Sequence, residues 1–171
     1  MDSTSAPEPA ETQAEPHENH RWLQQLVGEW TCEGEAQMGP DKPPEKFIGT
    51  ESVRAVGEFW ILGEGRGPLP DGSASTMLLT LGYDQRRERF VGTWVGSMMP
   101  FLWVYDGALD QARKVLTLDC EGPDMTGAGG TAKYRDIIEL VSGDHRVLRS
   151  NMQGADGQWQ QLLETHYKRV K

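Results

Sequence analysis

The sequence predicts a mainly β protein: a single antiparallel up-and-down β-barrel of about ten strands with one short N-terminal helix. Three observations carry that expectation. Apolar residues fall at helical spacing before Gly28 and alternate strictly after it. From there on, short apolar runs recur at roughly 10- to 15-residue spacing, divided by Gly, Pro and Asp turn chemistry. The chain of 171 residues also fits one domain of roughly 150 residues plus a tail, a size that buries about two-thirds of its unfolded surface without disulfides.

The domain reading is an acidic tail over residues 1–16 and a barrel over residues 17–171. The tail holds Asp2, Glu8, Glu11 and Glu15 among Pro7, Pro9 and Pro16, with no aromatic or basic residue. Such a segment cannot bury enough apolar surface to offset its ordering entropy, so it is expected to stay unstructured as a solvating leader. From His17 to Val27, the residues Trp22, Leu23, Leu26 and Val27 predict a helix, with Gly28 as its C′ residue. Trp30, Cys32, Gly34, Ala36 and Met38 then alternate with polar residues, as a strand with one buried face requires.

Gly39 to Pro44 reads as a loop, and Phe47 to Val56 as a strand whose inward parity the pattern leaves open. Phe59 to Arg66 follows, ended by Gly67, Pro68, Pro70 and an Asp71-Gly72 turn. Ser75 to Tyr83 puts Met77, Leu79, Leu81 and Tyr83 on one face, and Asp84 to Arg87 turns the chain into Arg89 to Gly96. Phe101, Trp103 and Tyr105 share a face of the next strand, closed by Asp106-Gly107. Lys114 to Glu121, Thr131 to Val141, His145 to Gln153 and Gln158 to Val170 complete the strands, with tight turns at Gly143-Asp144 and Asp156-Gly157. The Gly-rich stretch 122–130 lacks the Lys of a phosphate loop and opens no helix, so it reads as a flexible loop at the barrel mouth. Closure of the sheet disposes of edge strands that a chain so rich in β-structure would otherwise expose.

Lys and Arg total 17 against 26 Asp and Glu, for a net charge of −9, which argues against nucleic acid and anionic membrane as partners. Cys32 and Cys120 have no metal-type spacing and form no disulfide framework, so the expected compartment is reducing. Met1 to Pro16 carries no basic or apolar leader region, and no apolar run approaches the roughly 18 residues of a membrane span. The expectation is a soluble, cytoplasmic protein.

The functional expectation rests on Trp94, Ser97, Met98, Met99, Pro100, Phe101, Trp103 and Tyr105. Methionines and aromatics together line either an adaptable pocket for a small apolar or amphipathic molecule or a filled core. The candidate ligand-binding residues are Met77, Trp94, Met98, Met99, Phe101, Trp103, Tyr134, Asp136 and Arg149. Tyr134 and Asp136 share a face with Ile138 and Leu140, and Arg149 and Asn151 share one with Val147. Buried polar groups need partners, so these form either an internal network or the orienting groups of a ligand site, with Asp136–Arg149 as the expected ion pair. No triad, carboxylate pair or His-Glu-x-x-His motif is present, and no catalytic or metal-ligating residue is assigned. A second reading is a solid barrel that makes a homodimer through an outer face at Trp60 and Leu62, and a third is an enzyme of unidentified type, since active sites can assemble from residues that no short motif reveals.

Gly28-Glu29-Trp30, at the passage from helix to first strand, resembles the Gly-x-Trp signature of the lipocalin and calycin superfamily. That resemblance implies a Trp closing one barrel end against a basic side chain from a late strand, here Arg169 or Lys168. A longer resemblance runs through His20 to Trp30, GYD at Gly82 to Asp84, GTW at Gly92 to Trp94, SMMPFLWVYDG at Ser97 to Gly107, KYRD at Lys133 to Asp136 and HRVLRSNMQGADG at His145 to Gly157. These motifs are similar to the bacterial domain-of-unknown-function family 1579, which implies a lipocalin-like barrel with no established activity. Haem-binding barrels of the nitrobindin type resemble this fold and ligate iron through a late-strand His. Here Trp159, Leu163 and Tyr167 define the inward face of the last strand, which turns His166 outward, and haem is not expected.

Overall fold

The computed structural model describes residues 14–69 and 71–171; most of the acidic tail, residues 1–13, and the turn residue Pro70 lie outside the described residues. Among the described residues one helix, α1 (Glu18–Gln24), precedes ten strands: β1 (Gly28–Ala36), β2 (Glu45–Val56), β3 (Trp60–Pro68), β4 (Ala74–Asp84), β5 (Arg89–Gly96), β6 (Trp103–Leu109), β7 (Val115–Pro123), β8 (Thr131–Ser142), β9 (His145–Gln153) and β10 (Trp159–Arg169). Each strand pairs antiparallel with its sequence neighbours, and β10 returns to β1 to close the barrel. No helix among the described residues is long and apolar enough to cross a membrane.

The barrel has a closed end and a mouth. At the closed end α1 lays Trp22, Leu23 and Leu26 onto a core that includes Ile61, Leu81, Phe90 and Leu116, all nearly inaccessible. Seven residues cannot sustain a helix alone. Burying three such side chains contributes about 1.5–3 kcal/mol each, so packing holds the helix in place. His20 fixes its entry: its Nδ1 accepts from the His17 amide at 2.8 Å, and its Nε2 meets the Tyr83 carbonyl at 2.8 Å. Trp22 Nε1 donates to the Arg113 carbonyl at 2.8 Å, tying the helix to the β6–β7 turn.

Arg169 is the basic partner of Trp30. Its guanidinium stands 4.2 Å from the Trp30 ring and donates to the carbonyls of Val27 (2.6 Å) and Gln25 (2.8 Å), while its Nε donates to that of Gly143 (2.9 Å). Lys168, on the opposite parity, is exposed. Gly28 has φ +147°, and a Cβ there would overlap the Arg169 guanidinium, so glycine is needed for this approach.

Three local expectations differ. The helix ends at Gln24, and three further i to i+3 hydrogen bonds carry the chain through residues 25–27 as a tightened last turn, so Gly28 opens β1 instead of capping α1. Asp106-Gly107 is not a turn but the middle of β6; a Cβ on Gly107 would overlap the Thr117 carbonyl, and the turn lies later, with Arg113 at φ +57°. Trp159 faces out, because a bulge between Gln161 and Leu163 shifts the side-chain alternation of β10 before Leu163 and Tyr167 turn in.

Replacing Arg169 by Ala removes three carbonyl contacts and one ring contact at the closure, and should cost about 2–4 kcal/mol of unfolding free energy. Urea denaturation measures this; a loss under about 0.5 kcal/mol would mean that Arg169 is a bystander on the surface.

Candidate functional site

Inward-facing side chains sort into levels between the closed end and the mouth. An apolar floor of Ile61, Leu81, Leu116, Leu118 and Ile138 sits over α1. Above it lies a polar belt, and above that a layer of aromatics and methionines.

The belt centres on Glu51 and Arg146, which face each other from β2 and β9. Register places Glu51 beside Trp30, and Arg146 beside Tyr167. Arg146 is 3% exposed, its guanidinium lies 4.7 Å from the Trp30 ring centre and 3.8 Å from that of Tyr167, and its Nη2 donates to Glu51 Oε2. Its Nε has no hydrogen-bond partner among the described residues. Glu51 is 8% exposed, and its Oε1 accepts no hydrogen bond from the described residues. That oxygen stands over Gly63, where a Cβ would lie 2.8 Å from it.

A lumenal cavity of about 50 Å³ adjoins this oxygen, bordered by Cys32, Glu51, Gly63, Gly65, Met77, Leu79, Trp94 and Tyr167. Cys32, Met77, Leu79, Trp94 and Tyr167 point inward yet keep part of their accessible surface. Burial, with the Glu51 charge, pushes the Cys32 thiol up to about 11 and holds the Tyr167 hydroxyl far above its ordinary range. Both stay protonated at neutral pH. On the other side of the belt the Tyr105 hydroxyl donates to Asp136 Oδ2 at 2.5 Å. Burial pushes the Cys120 thiol up to about 12.

The residues singled out from sequence fall in three places. Met77 and Trp94 border the lumenal cavity. Met99, Phe101, Trp103 and Tyr134 pack on one another toward the mouth: Phe101 and Trp103 centroids are 4.9 Å apart, those of Trp103 and Tyr134 4.8 Å, and Trp103 Nε1 lies 3.3 Å from Met99 Sδ. Tyr134 also holds the β7–β8 loop, donating to the Pro123 carbonyl and accepting from the Met125 amide at 3.2 Å. Met98 is exposed beside them.

Asp136 points in, but the Asp136–Arg149 ion pair does not form. Arg149 lies on the outer face, where it pairs with Glu139 at 2.8 Å and Glu164 at 3.0 Å. Val147, which suggests an inward parity for Arg149, is buried on the outer side between Glu139 and His166 of the adjoining strands. His166 faces outward, with Nδ1 3.0 Å from His145 Nε2 and Nε2 3.0 Å from Glu164 Oε1. Sequence reasoning misses Glu51 and Arg146. The available signal is that a Trp30 facing in requires its cross-strand neighbours to face in as well.

A second concavity lies in the wall. The β6–β7 ladder holds four residue pairs, Asp106↔Asp119 to Leu109↔Leu116, and does not extend to pair 103–105 with 120–122. Here the wall opens into a groove of about 670 Å³, lined by Val104, Asp119, Glu121, Lys133, Arg135 and Trp159 from outside and by the inward-facing Cys120 and Tyr134. Arg135 stacks on Trp159 at 4.5 Å and pairs with Asp119 at 2.7 Å. The Trp103 ring lies against Gly122 where the seam parts, so that a Cβ there would overlap it.

Burial holds the Asp136 carboxyl above the ordinary carboxylate range, against the pull of hydrogen bonds from Tyr105 and Ser150. The native state therefore keeps this proton to higher pH than the unfolded chain does. Asp136 contributes fully below the unfolded value of about 3.9, and that contribution falls as pH rises through the native value. An Asp136→Asn variant should gain stability relative to the parent across that window and hold the gain above it. Denaturation curves at stepped pH measure this; a difference that does not change with pH would remove the titration from the account.

The chain matches the family model described as protein of unknown function (DUF1579) over residues 15–169. No curated protein shows significant similarity to it. Among solved structures, Rv2717c from M. tuberculosis superposes with a TM-score of 0.63 at 14% identity, covering 92% of this chain and 100% of that one. The S-type phycobiliprotein lyase CPES from Guillardia theta superposes with a TM-score of 0.56 at 16% identity, covering 88% and 92%. At those identities the likeness is one of fold. The family match takes in the helix, all ten strands and both members of the central ion pair, and the chain belongs to the DUF1579 family of proteins of unknown function.

Proposed function

We propose that this protein is a non-catalytic binder of a small amphipathic molecule, held in the barrel lumen above the Glu51–Arg146 pair. The observation that carries this reading is the incomplete filling of the lumen. Where Gly63 and Gly65 withhold side chains, the facing Met77, Leu79, Trp94 and Tyr167 keep accessible surface around a cavity with a carboxylate at one end. A barrel selected for stability alone would close such a space, since each missing contact forfeits dispersion energy. The cavity is far smaller than the roughly 300–1,000 Å³ of drug-sized sites, so the part of the ligand inside it is only a few atoms across. Two free thiols facing the lumen suit a reducing compartment, and we assign the protein to the cytoplasm.

Native mass spectrometry of protein purified without denaturation should find an adduct of low mass. Gly65→Leu should abolish it with little loss of stability, because the flexible Met77 thioether, 3.3 Å from a Cβ at that position, can yield. An adduct retained in full by Gly65→Leu would place binding outside the lumen.

A second reading, a homodimer, draws on the outer face of β3 to β5. Trp60 lies over Gly82 and stays 44% exposed, with Leu78 and Val95 nearby on the same face. Sedimentation velocity over a hundredfold concentration range tests it. Association that Trp60→Glu reverses would support the dimer, and a constant monomer would end it.

A further inference from the structure

We propose that the ligand taken by the lumenal site is an uncharged molecule that donates a hydrogen bond, from an O–H or N–H, to Glu51 Oε1. The inference rests on the lumenal reading above and narrows it to a chemical class. The Glu51 side chain is about nine-tenths buried, one of its oxygens is satisfied by Arg146, and the other lies at the cavity without a donor among the described residues. A carboxylate oxygen that opens on a small, largely apolar space with no protein donor beside it favours a group that supplies one. The other carboxylate of the belt differs in place: Asp136 accepts from Tyr105 at its Oδ2 and does not border this cavity.

Charge limits the donor. The Arg146 guanidinium already neutralises Glu51, so a cationic ligand would bring a second positive charge into a space walled by Met77, Leu79 and Trp94 with no anion left to balance it. An anionic ligand would meet the Glu51 carboxylate itself. A neutral donor on an apolar body satisfies both the free oxygen and the walls. Gly63 makes the approach feasible, because any side chain there would stand between the ligand and the oxygen.

Pyrrole and furan test this directly, being near-isosteric rings of which only pyrrole donates. Ligand-observed NMR titrations on the full chain should find pyrrole bound roughly tenfold or more tightly than furan, as expected for a hydrogen bond to a charged acceptor. Glu51→Gln should bring the two within about twofold to threefold of each other. Should that variant fail to fold, the N–H proton of bound ¹⁵N-pyrrole reports on the parent protein alone and should move downfield. Pyrrolidine, cationic at neutral pH, should bind more weakly than pyrrole. Equal binding of pyrrole and furan, both displaced by Gly65→Leu, would overturn the donor requirement while leaving the lumenal site standing. Tighter binding of pyrrolidine than of pyrrole would overturn the restriction to uncharged donors. No binding of any of the three at millimolar concentration would overturn this inference together with the lumenal reading.

Discussion

The Glu51–Arg146 pair is the constraint on which the rest of the interior depends. It spans the place where the barrel closes: Glu51 sits on β2, Arg146 on β9, and the rings that flank the guanidinium, Trp30 and Tyr167, belong to β1 and β10. A buried ion pair of this kind roughly breaks even against an apolar replacement, while removal of one member costs about 3–5 kcal/mol. Its effect is therefore on arrangement more than on net stability. A one-residue slip of β10 against β1 would turn Tyr167 and Arg169 outward together and leave the Arg146–Tyr167 and Arg169–Trp30 contacts unmade.

The ends of the barrel are sealed by different means. At the closed end, α1 supplies apolar volume and Arg169 gathers the carbonyls of the chain leaving the helix. Toward the mouth, stacked aromatics and Met99 do the sealing, and Tyr134 secures the adjoining loop. The lumenal cavity is what remains between them, on the side where β3 presents glycines inward. The aromatic–methionine cluster that stands out in the sequence thus lies mainly beside the cavity, and only Met77 and Trp94 reach its border.

The fold was legible because its signals are local. The change of period at Gly28, the recurrence of turn residues and the Gly-x-Trp step each act over a few residues, and together they yield ten strands and one helix at close to their observed bounds. The site was less legible because it is an accident of parity across several strands. Glu51 lies in the strand whose alternation is weakest, with Ile48 exposed and Gly49 turned in. Arg146 adjoins Val147, an apolar residue buried on the outer side beneath polar neighbours, so a parity read from Val147 points the wrong way, although Leu148 and Met152 share the inward face with Arg146. Trp159 misleads for another reason: a bulge resets the alternation between it and Tyr167, and no residue pattern marks that bulge. For the central pair the deciding partner is far away in sequence, as Glu51 is from Arg146.

The β6–β7 seam gives this closed sheet a direction. A hoop with uniform joints has no preferred place to open, but here one joint holds four residue pairs, and β6 is joined to β5 by only five, against seven or more at every other seam. β6 is thus the least tethered stave of the barrel, and parting the sheet there breaks the fewest ladder pairs. The groove meets the inward-facing Cys120 and Tyr134 at that point, so the outer surface and the core share side chains where the ladder is shortest.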